Sequence, residues 1–202
     1  MNNITLEDID NIAKIATDLP WGMNHKEFEG NSEIWAPYTR FLYKFVQTYE
    51  PLLSIECGVY MATVTEHIAL ANPNGLVIGI DRNFHPAAYK VVMRQRNIRF
   101  VHGDTLESFE HVKLFYEGRP LELLFLDSTH DGETPRREFE IFQPIMSEQC
   151  LVACDDILEN DEMKDWWSSI EYPKIELNYL HPYPVHGGPD VGFGVFIYSE
   201  RI

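Results

Sequence analysis

Residues 52–63 read LLSIECGVYMAT, an apolar run followed by a turn that contains Gly58. From this stretch onward, short apolar runs alternate with segments of helical periodicity, a pattern typical of a parallel sheet with helices on both faces. The predicted strands are Leu52–Cys57, Leu76–Asp81, Ile98–His102, Leu121–Asp127 and Cys150–Asp155. The sequence therefore predicts an α/β fold with a doubly wound sheet.

The chain before this pattern contains two segments with apolar residues at helical spacing. Thr5 and Asp8 fit a capping box at the start of the first segment. The second segment, Ile34 to Tyr49, carries an aromatic stripe that we predict to belong to the core. We expect residues 1–50 to form an N-terminal helical cap beside the sheet.

The C-terminal part of the chain follows a third pattern. The runs Ile175–Leu180 and Val191–Tyr198 are strand-like, and no helical segment separates them. They are predicted to pair in antiparallel fashion at one edge of the sheet. With no repeat or charge block in the chain, we expect a single domain over residues 1–202, whose core, residues 51–202, is a Rossmann-like, mostly parallel sheet.

The composition of the chain limits which classes of partner and which cellular compartment we expect. The 16 Lys and Arg residues face 32 Asp and Glu residues, a net charge of −16 that would repel a polyphosphate, so no nucleic-acid partner is expected. No apolar stretch approaches the roughly 18 residues that cross a bilayer, so no membrane partner is expected either. Met1 to Asp10 carries acids where an export signal has basic and then apolar residues, which predicts a cytoplasmic protein.

Acidic residues follow two of the predicted strands where each strand ends. Asp127 closes the fourth strand, and Asp155 with Asp156 closes the fifth. One helix-length segment separates the two strands, so they are predicted to be parallel neighbours whose carboxyl ends open on the same edge. Three carboxylates there would repel one another unless a hard cation bound them, which predicts a magnesium site with His130 as a proton acceptor beside it. The alternative is that these acids are ordinary strand-end caps and turn formers.

The turn after the first strand indicates which cofactor the cleft takes. Gly58 would let the backbone pass close to a ligand, but the turn lacks the other two glycines of a dinucleotide-binding turn. This argues against a nicotinamide cofactor. A cationic sulfonium ligand needs no pyrophosphate cradle, and Glu56 near the turn suits an ammonium group better than a phosphate.

Two further aspartates follow the second and third predicted strands. Asp81 stands where a carboxylate can accept hydrogen bonds from both hydroxyls of a ribose. Asp104 could accept a hydrogen bond from an adenine amino group. For each aspartate the alternative is a helix cap, which for Asp104 is about as well supported as the adenine contact.

Together these motifs resemble those of the class I S-adenosylmethionine-dependent methyltransferases, over roughly Leu52 to Tyr198. The resemblance is greatest to the metal-dependent O-methyltransferases, both the catechol type and the macrolide-sugar type that is grouped with cephalosporin hydroxylase-like proteins. The motifs are Glu56-x-Gly58-Val59-Tyr60, Asp81, Gly103-Asp104, Asp127-x-x-His130 and Asp155-Asp156.

The resemblance implies a role for each of these residues. Asp127, Asp155 and Asp156 would hold Mg²⁺, and His130 would be the base, where the catechol type has a lysine and the sugar type a histidine. For the cofactor, S-adenosylmethionine, the implied binding residues are Glu56 and Gly58 at the methionine part, Tyr60 in the same turn, Asp81 at the ribose and Asp104 at the adenine.

The implied function is magnesium-dependent methyl transfer to a small-molecule acceptor with adjacent oxygens, such as a sugar diol or a catechol. The loops 21–25 and 183–188 are candidate walls of the acceptor pocket or else packed surface loops, and His181 and His186 could be further acid-base or metal groups. Met61-Ala62 stands where small glycines are common. This departure keeps open an inactive S-adenosylmethionine-binding sensor or partner subunit. A separate alternative is a different reaction on the same fold, such as cofactor cleavage or an oxidoreductase. A homo-oligomer is possible.

Overall fold

The computed structural model describes residues 3–18, 37–181 and 191–200. In these residues helices and strands alternate through most of the chain. In order they are α1 Leu6–Asp18, α2 Pro37–Tyr49, β1 Leu53–Cys57, α3 Thr63–Ala71, β2 Leu76–Asp81, α4 Pro86–Arg94, β3 Ile98–His102, α5 Phe109–Lys113, β4 Leu121–Leu126, α6 Glu133–Phe142, β5 Met146–Asp155, α7 Asp161–Ser169, β6 Lys174–Glu176 and β7 Phe193–Ser199.

The described strands form one sheet in the order β3-β2-β1-β4-β5-β7-β6. Strands β1 to β5 are parallel, whereas β7 pairs antiparallel with both β5 and β6. The register pairs Cys57 with Leu126 and Leu126 with Cys154, so β1, β4 and β5 end at the same level. The predicted fold class and the neighbouring parallel strands are confirmed, and the residues that follow these strands meet at one edge.

Helices cover both faces of the sheet, because the central strands are apolar on both sides. The core on one face includes residues of α1 to α4, and the core on the other face includes residues of α5 to α7. The predicted capping box at the start of α1 is present, since Asp8 N–H donates to Thr5 Oγ1 at 3.2 Å and Thr5 N–H to Asp8 Oδ2 at 3.0 Å. The predicted helical cap over residues 1–50 is thus represented by α1 and α2, which pack on the sheet face that α3 also covers.

Strand β4 contains one charged residue in an otherwise apolar run, LELLFL, whose six residues are all buried. Glu122 accepts a hydrogen bond from the backbone N–H of Leu52 at 2.7 Å. A buried carboxylate is tolerated where it is hydrogen-bonded. Glu122 therefore links the start of β1 to the start of β4, at the edge of the sheet opposite the carboxyl ends of these strands.

The predicted strand Ile175–Leu180 is only partly correct. Strand β6 covers Lys174–Glu176, and Asn178–Leu180 forms a 3-10 turn instead. The N–H of Leu177 still donates to Phe193 O at 2.8 Å, but the side chain of Asn178 then takes the N–H of Phe193 at 3.2 Å, so the ladder ends. This turn directs His181 toward the end of β5.

The helices of the described chain are too short or too polar to span a bilayer.

Candidate active site

A cleft of about 430 Å³ opens at the carboxyl ends of β1, β2 and β4. This is the edge of an open α/β sheet where ligands bind, and the volume is within the range for small-molecule pockets. Its lining residues are Gly58–Tyr60, Ile80–Asn83, Thr105 and Asp127–Thr129.

The turn after β1 forms one wall of the cleft. Gly58 has φ +85°, and a Cβ at this position would lie 1.9 Å from the carbonyl oxygen of Asp127. Glycine is therefore required by the backbone angle and by the close approach of the two strand ends. Gly58 also lines the cleft, and its predicted close approach to a ligand stays a prediction.

Asp81 holds this turn in place. Its Oδ2 accepts hydrogen bonds from the backbone N–H groups of Val59 at 2.8 Å and Tyr60 at 2.7 Å, and its Oδ1 accepts one from Asn83 at 2.7 Å. Burial acts to raise the pKa of Asp81, but these hydrogen bonds outweigh it and the pKa lies below its ordinary value. Asp81 lines the cleft as an ionised carboxylate already bound to the turn, and its contact with a ribose stays a prediction.

Of the other residues predicted to bind the cofactor, Tyr60 alone lines the cleft. Its side chain is 64% exposed. Glu56 is buried, accepts a hydrogen bond from the hydroxyl of Thr65, and its pKa is raised well above the usual value, chiefly by burial. Asp104 caps the 3-10 turn at Thr105–Glu107 by accepting the N–H of Leu106 at 2.9 Å, and it pairs with the guanidinium of Arg82. The structure therefore shows the cap alternative for Asp104, and Thr105 takes its place in the cleft wall.

His130 lies among the acids that end β4 and β5. Its Nδ1 is 2.8 Å from Asp156 Oδ2 and 3.0 Å from Glu159 Oε2, and its Nε2 is 3.6 Å from Asp127 Oδ1. The last distance is an electrostatic contact, too long for a hydrogen bond. The predicted meeting of Asp127, Asp156 and His130 at the sheet edge is thus present in the structure.

Asp155 points to a different histidine. Its Oδ1 is 2.8 Å from Nδ1 of His181, which is also 3.7 Å from Asp156 Oδ1. The ring of Tyr38 lies edge-on to the His181 ring, with 5.3 Å between the centroids. Two histidines, one after β4 and one after the turn that follows β6, therefore both approach Asp156.

Crowding of these acids shifts their proton affinities. Burial, followed by the charge of Asp155, raises the pKa of Asp127 to about 7, and burial raises the pKa of Asp155 as well. Burial opposes the charged form of His130, yet the contacts with Asp127 and Asp156 outweigh it and raise the pKa of His130 to about 11. His130 therefore carries its proton at neutral pH in the absence of a cation.

The donor set fits a divalent cation. Asp156 has φ +55°, and its Oδ1 is buried without a hydrogen-bond partner. Within the described ranges, two groups place their ligand atoms within 4.8 Å of one another: His130 with Asp156 and Glu159, and His181 with Asp155 and Asp156. An unpartnered buried carboxylate oxygen costs free energy, which a bound cation would remove. Asp127 belongs to neither group and adjoins both through His130 and Asp155.

Several residues near this site were not assigned from the sequence. Tyr38 belongs to the aromatic stripe that the sequence predicts for the core, and it is buried. Burial is the main cause that raises the pKa of its hydroxyl, and the charge of Asp155 is the second, so Tyr38 also lies near the site. Glu159 lies three residues after Asp156, a spacing that could have drawn attention to it. Glu138 has no sequence signal, because its position beneath the cleft depends on how α6 packs. The candidate acceptor loops 21–25 and 183–188, with His186, lie outside the described residues.

Glu138 predicts a pH dependence of stability. Its side chain is fully buried, with Oε1 accepting the hydroxyl of Ser128 at 2.5 Å and Oε2 unpartnered, and burial raises its pKa from 4.5 to about 7. The folded state holds the proton of Glu138 to higher pH than the unfolded state does. The contribution of the protonated Glu138 to the free energy of unfolding is therefore complete below pH 4.5 and is lost as the pH rises through 7. The shift corresponds to about 3 kcal/mol. We expect Glu138→Gln to be more stable than the parent at pH 8 and to show little difference at pH 4.5 in urea unfolding.

The matched control is Glu140→Gln, an exposed position on the same helix. It should change the free energy of unfolding by less than about 0.5 kcal/mol at either pH. A difference between Glu138→Gln and the parent that stays constant over this pH range would contradict the assignment.

Comparison with solved structures shows which known proteins share this fold. The chain superposes on the O-methyltransferase from Bacillus cereus in complex with SAH with a TM-score of 0.61 at 14% identity, covering 98% of this chain and 91% of that one. TomG from Streptomyces achromogenes is an O-methyltransferase involved in tomaymycin synthesis and was solved with SAM. It superposes with a TM-score of 0.63 at 15% identity, covering 95% of this chain and 89% of that one. Cofactor-bound Rv0187 from MTB superposes with a TM-score of 0.62 at 16% identity, covering 96% of this chain and 90% of that one. The comparison with curated proteins gave no match.

The doubly wound sheet with a cleft at its carboxyl edge defines the chain as a doubly wound α/β protein. A family model described as a methyltransferase domain matches residues 55–157, more than half of the chain. The chain belongs to this methyltransferase family. The resemblance read from the motifs is thereby confirmed at the level of the family, and the fold is that of the solved O-methyltransferases.

Proposed function

We propose that this protein transfers a methyl group from S-adenosylmethionine to an oxygen of a small molecule, with a divalent cation bound beside the cleft. The observation that carries the proposal is the meeting of Asp127, Asp156 and His130 beside that cleft, where Asp127 is one of the lining residues. A methyltransferase needs a bound sulfonium, a positioned nucleophile and a way to remove the proton of the nucleophile. The residues around the cleft can serve each of these needs.

The cleft is the proposed site of S-adenosylmethionine, whose sulfonium supplies an activated methyl group. Two of the solved proteins with this fold carry SAM or SAH. In this chain Gly58 and Tyr60 line one wall, and Asp81 lies at the end of β2, where its carboxylate can face a ribose. Glu56 lies below this wall with Thr65, so it is proposed to support the turn rather than to contact the ligand.

The cation is proposed to be held by Asp127, Asp155 and Asp156, with Mg²⁺ as the first expectation from the resemblance. When bound, a divalent cation orients two oxygens of an acceptor and lowers their pKa. The three carboxylates supply the negative charge that such a cation needs, and the unpartnered Asp156 Oδ1 supplies an oxygen with no competing hydrogen bond. An acceptor with two adjacent oxygens, such as a sugar diol or a catechol, matches this arrangement.

His130 is proposed to accept the proton of the acceptor. Its pKa of about 11 reflects the uncompensated charge of the neighbouring acids. A cation held by those acids would offset that charge, so the pKa of His130 would fall and the imidazole could become neutral. His130 and the cation site are therefore expected to act together.

The acceptor is proposed to be a small molecule, with no nucleic acid or membrane involved and the cytoplasm as the compartment. The net charge of −16 disfavours a polyanionic acceptor through long-range repulsion. Acidic residues also make up most of the charged groups at the proposed cation site, where a phosphate-rich chain would have to dock.

Calorimetric titration with S-adenosylhomocysteine, followed by a methyl-transfer screen over catechols, flavonoids and sugar diols with and without EDTA, tests the proposal. We expect S-adenosylhomocysteine to bind with or without EDTA. Methyl transfer to at least one diol should fall at least about tenfold when EDTA removes the cation.

Binding that is unaffected by EDTA, together with no transfer to any acceptor, would contradict this function and favour the sensor alternative. Loss of S-adenosylmethionine without an acceptor would favour the cofactor-cleaving alternative.

A further inference from the structure

The cation site has a neighbour, His181, which lies outside the quoted motifs and which the sequence indicated as a candidate acid-base or metal group. His181 follows the 3-10 turn at Asn178–Leu180, and its backbone N–H donates to Asn178 O at 3.0 Å. Its side chain is 14% exposed, and Tyr38 packs edge-on against the ring. Tyr38 in turn stacks on Phe193 with 5.1 Å between the ring centroids. The imidazole is thus held in one orientation by α2, the turn and β7.

The orientation of this ring brings a nitrogen to two carboxylates. Nδ1 of His181 is 2.8 Å from Asp155 Oδ1 and 3.7 Å from Asp156 Oδ1. Atoms that each lie about 2.1 Å from one ion, at right angles, are about 3 Å apart. The 2.8 Å separation matches this spacing, and the ligand atoms of all three residues lie within 4.8 Å of one another.

The state of Asp156 is the second observation. This residue is 9% exposed, and its Oδ1 has no hydrogen-bond partner although it faces His181 at 3.7 Å. A carboxylate oxygen that served only a structural hydrogen-bond network would be expected to have a donor. The unpartnered oxygen and the imidazole nitrogen both point to a common ligand.

We propose that His181 coordinates the cation together with Asp155 and Asp156, and that the site therefore selects a later first-row transition metal such as Co²⁺ over Mg²⁺. Magnesium prefers oxygen ligands, whereas imidazole suits later divalent metals. This inference rests on the proposed function, because it concerns the same cation site. It adds a nitrogen ligand from outside the motif set and changes the class of metal.

The test compares the parent protein with His181→Asn, in calorimetric titrations with CoCl2 and with MgCl2. Asparagine places an amide near the position of Nδ1, so it can keep the hydrogen bond to Asp155 while removing the imidazole. We expect Co²⁺ affinity to fall at least about tenfold in His181→Asn and Mg²⁺ affinity to change by less than about threefold. The matched control, His111→Asn at an exposed position of α5, should change neither affinity.

A second measurement begins with the parent protein and uses a variant that keeps the aromatic packing. Pulsed electron paramagnetic resonance of the Mn²⁺-loaded parent protein should show coupling to a directly bound imidazole nitrogen. In His181→Phe, which keeps an aromatic ring against Tyr38, this coupling should be lost.

Three results would overturn the inference: equal losses of Co²⁺ and Mg²⁺ affinity in His181→Asn, no loss of either, or nitrogen coupling that disappears only in His130→Asn. In each case S-adenosylhomocysteine binding and cation-dependent methyl transfer could still be present, so the proposed function would stand. Absence of both cation binding and cation-dependent transfer in the parent protein would instead end both proposals.

Discussion

His130→Ala is expected to lower the rate of methyl transfer by about 10²-fold to 10⁴-fold, the usual contribution of a general base. The dissociation constant of S-adenosylhomocysteine should change little, because His130 is outside the residues that line the cleft. The loss should appear in kcat at saturating cofactor and acceptor, measured by transfer of a labelled methyl group.

The same substitution removes a partner of Asp156 and Glu159, with which His130 makes contacts of 2.8 and 3.0 Å. Cation affinity must therefore be measured for His130→Ala, so that a loss of metal is not mistaken for the loss of a base. His111→Ala, at an exposed position, is the control and should keep full activity. Full turnover by His130→Ala would show that His130 is merely structural.

The electrostatics of His130 also predict the direction of its response to the cation. Because the neighbouring carboxylates hold its pKa at about 11, the isolated protein has a protonated His130 over the physiological range. His130 would lose its proton, and so become able to act as a base, only when the cation neutralises those carboxylates. Proton removal would therefore require a bound cation. Methyl transfer by the cation-free protein should then be slow even if an acceptor is bound.

The fold could be read from the sequence because its main signals are local. Strand lengths follow the apolar runs, and β2 Leu76–Asp81 and β3 Ile98–His102 have the predicted bounds. The meeting of Asp127 with the acids after β5 follows from parallel pairing alone, since parallel neighbours end on the same edge. These predictions needed only the periodicity of the chain and the rules of sheet topology.

The remaining features of the site depend on tertiary contacts that periodicity does not encode. His181 reaches Asp155 because Asn178 ends the pairing of β6, where a continued strand was predicted. Glu56 belongs to a buried strand, and its side chain takes a hydrogen bond from α3. For Asp104 the sequence was compatible with two roles. In the structure Asp104 accepts the N–H of Leu106 as a cap and also forms an ion pair with Arg82.

Gly58→Ala separates two roles that the sequence could not distinguish. If the glycine served only to let a ligand approach, alanine would weaken S-adenosylhomocysteine binding and cost only the strain of the backbone angle, about 1–2 kcal/mol. The structure predicts a stability loss instead, because the new Cβ would lie 1.9 Å from Asp127 O and 2.8 Å from Ser128 Cα. Both are backbone atoms at the end of a buried strand, so a side-chain rotation cannot relieve the overlap. We expect a loss of at least about 4 kcal/mol in the free energy of unfolding, measured in urea.

Gly118→Ala is the matched control for the backbone angle. Gly118 has φ +73°, close to the +85° of Gly58, but a Cβ there would meet no atom within 4 Å. Its substitution should cost about 1–2 kcal/mol, the strain of a left-handed conformation alone. The difference between the two variants isolates the contact between the turn after β1 and the end of β4. Equal losses would mean that the strand ends can separate, and the cleft would then be more adaptable than the close approach of Gly58 to Asp127 implies.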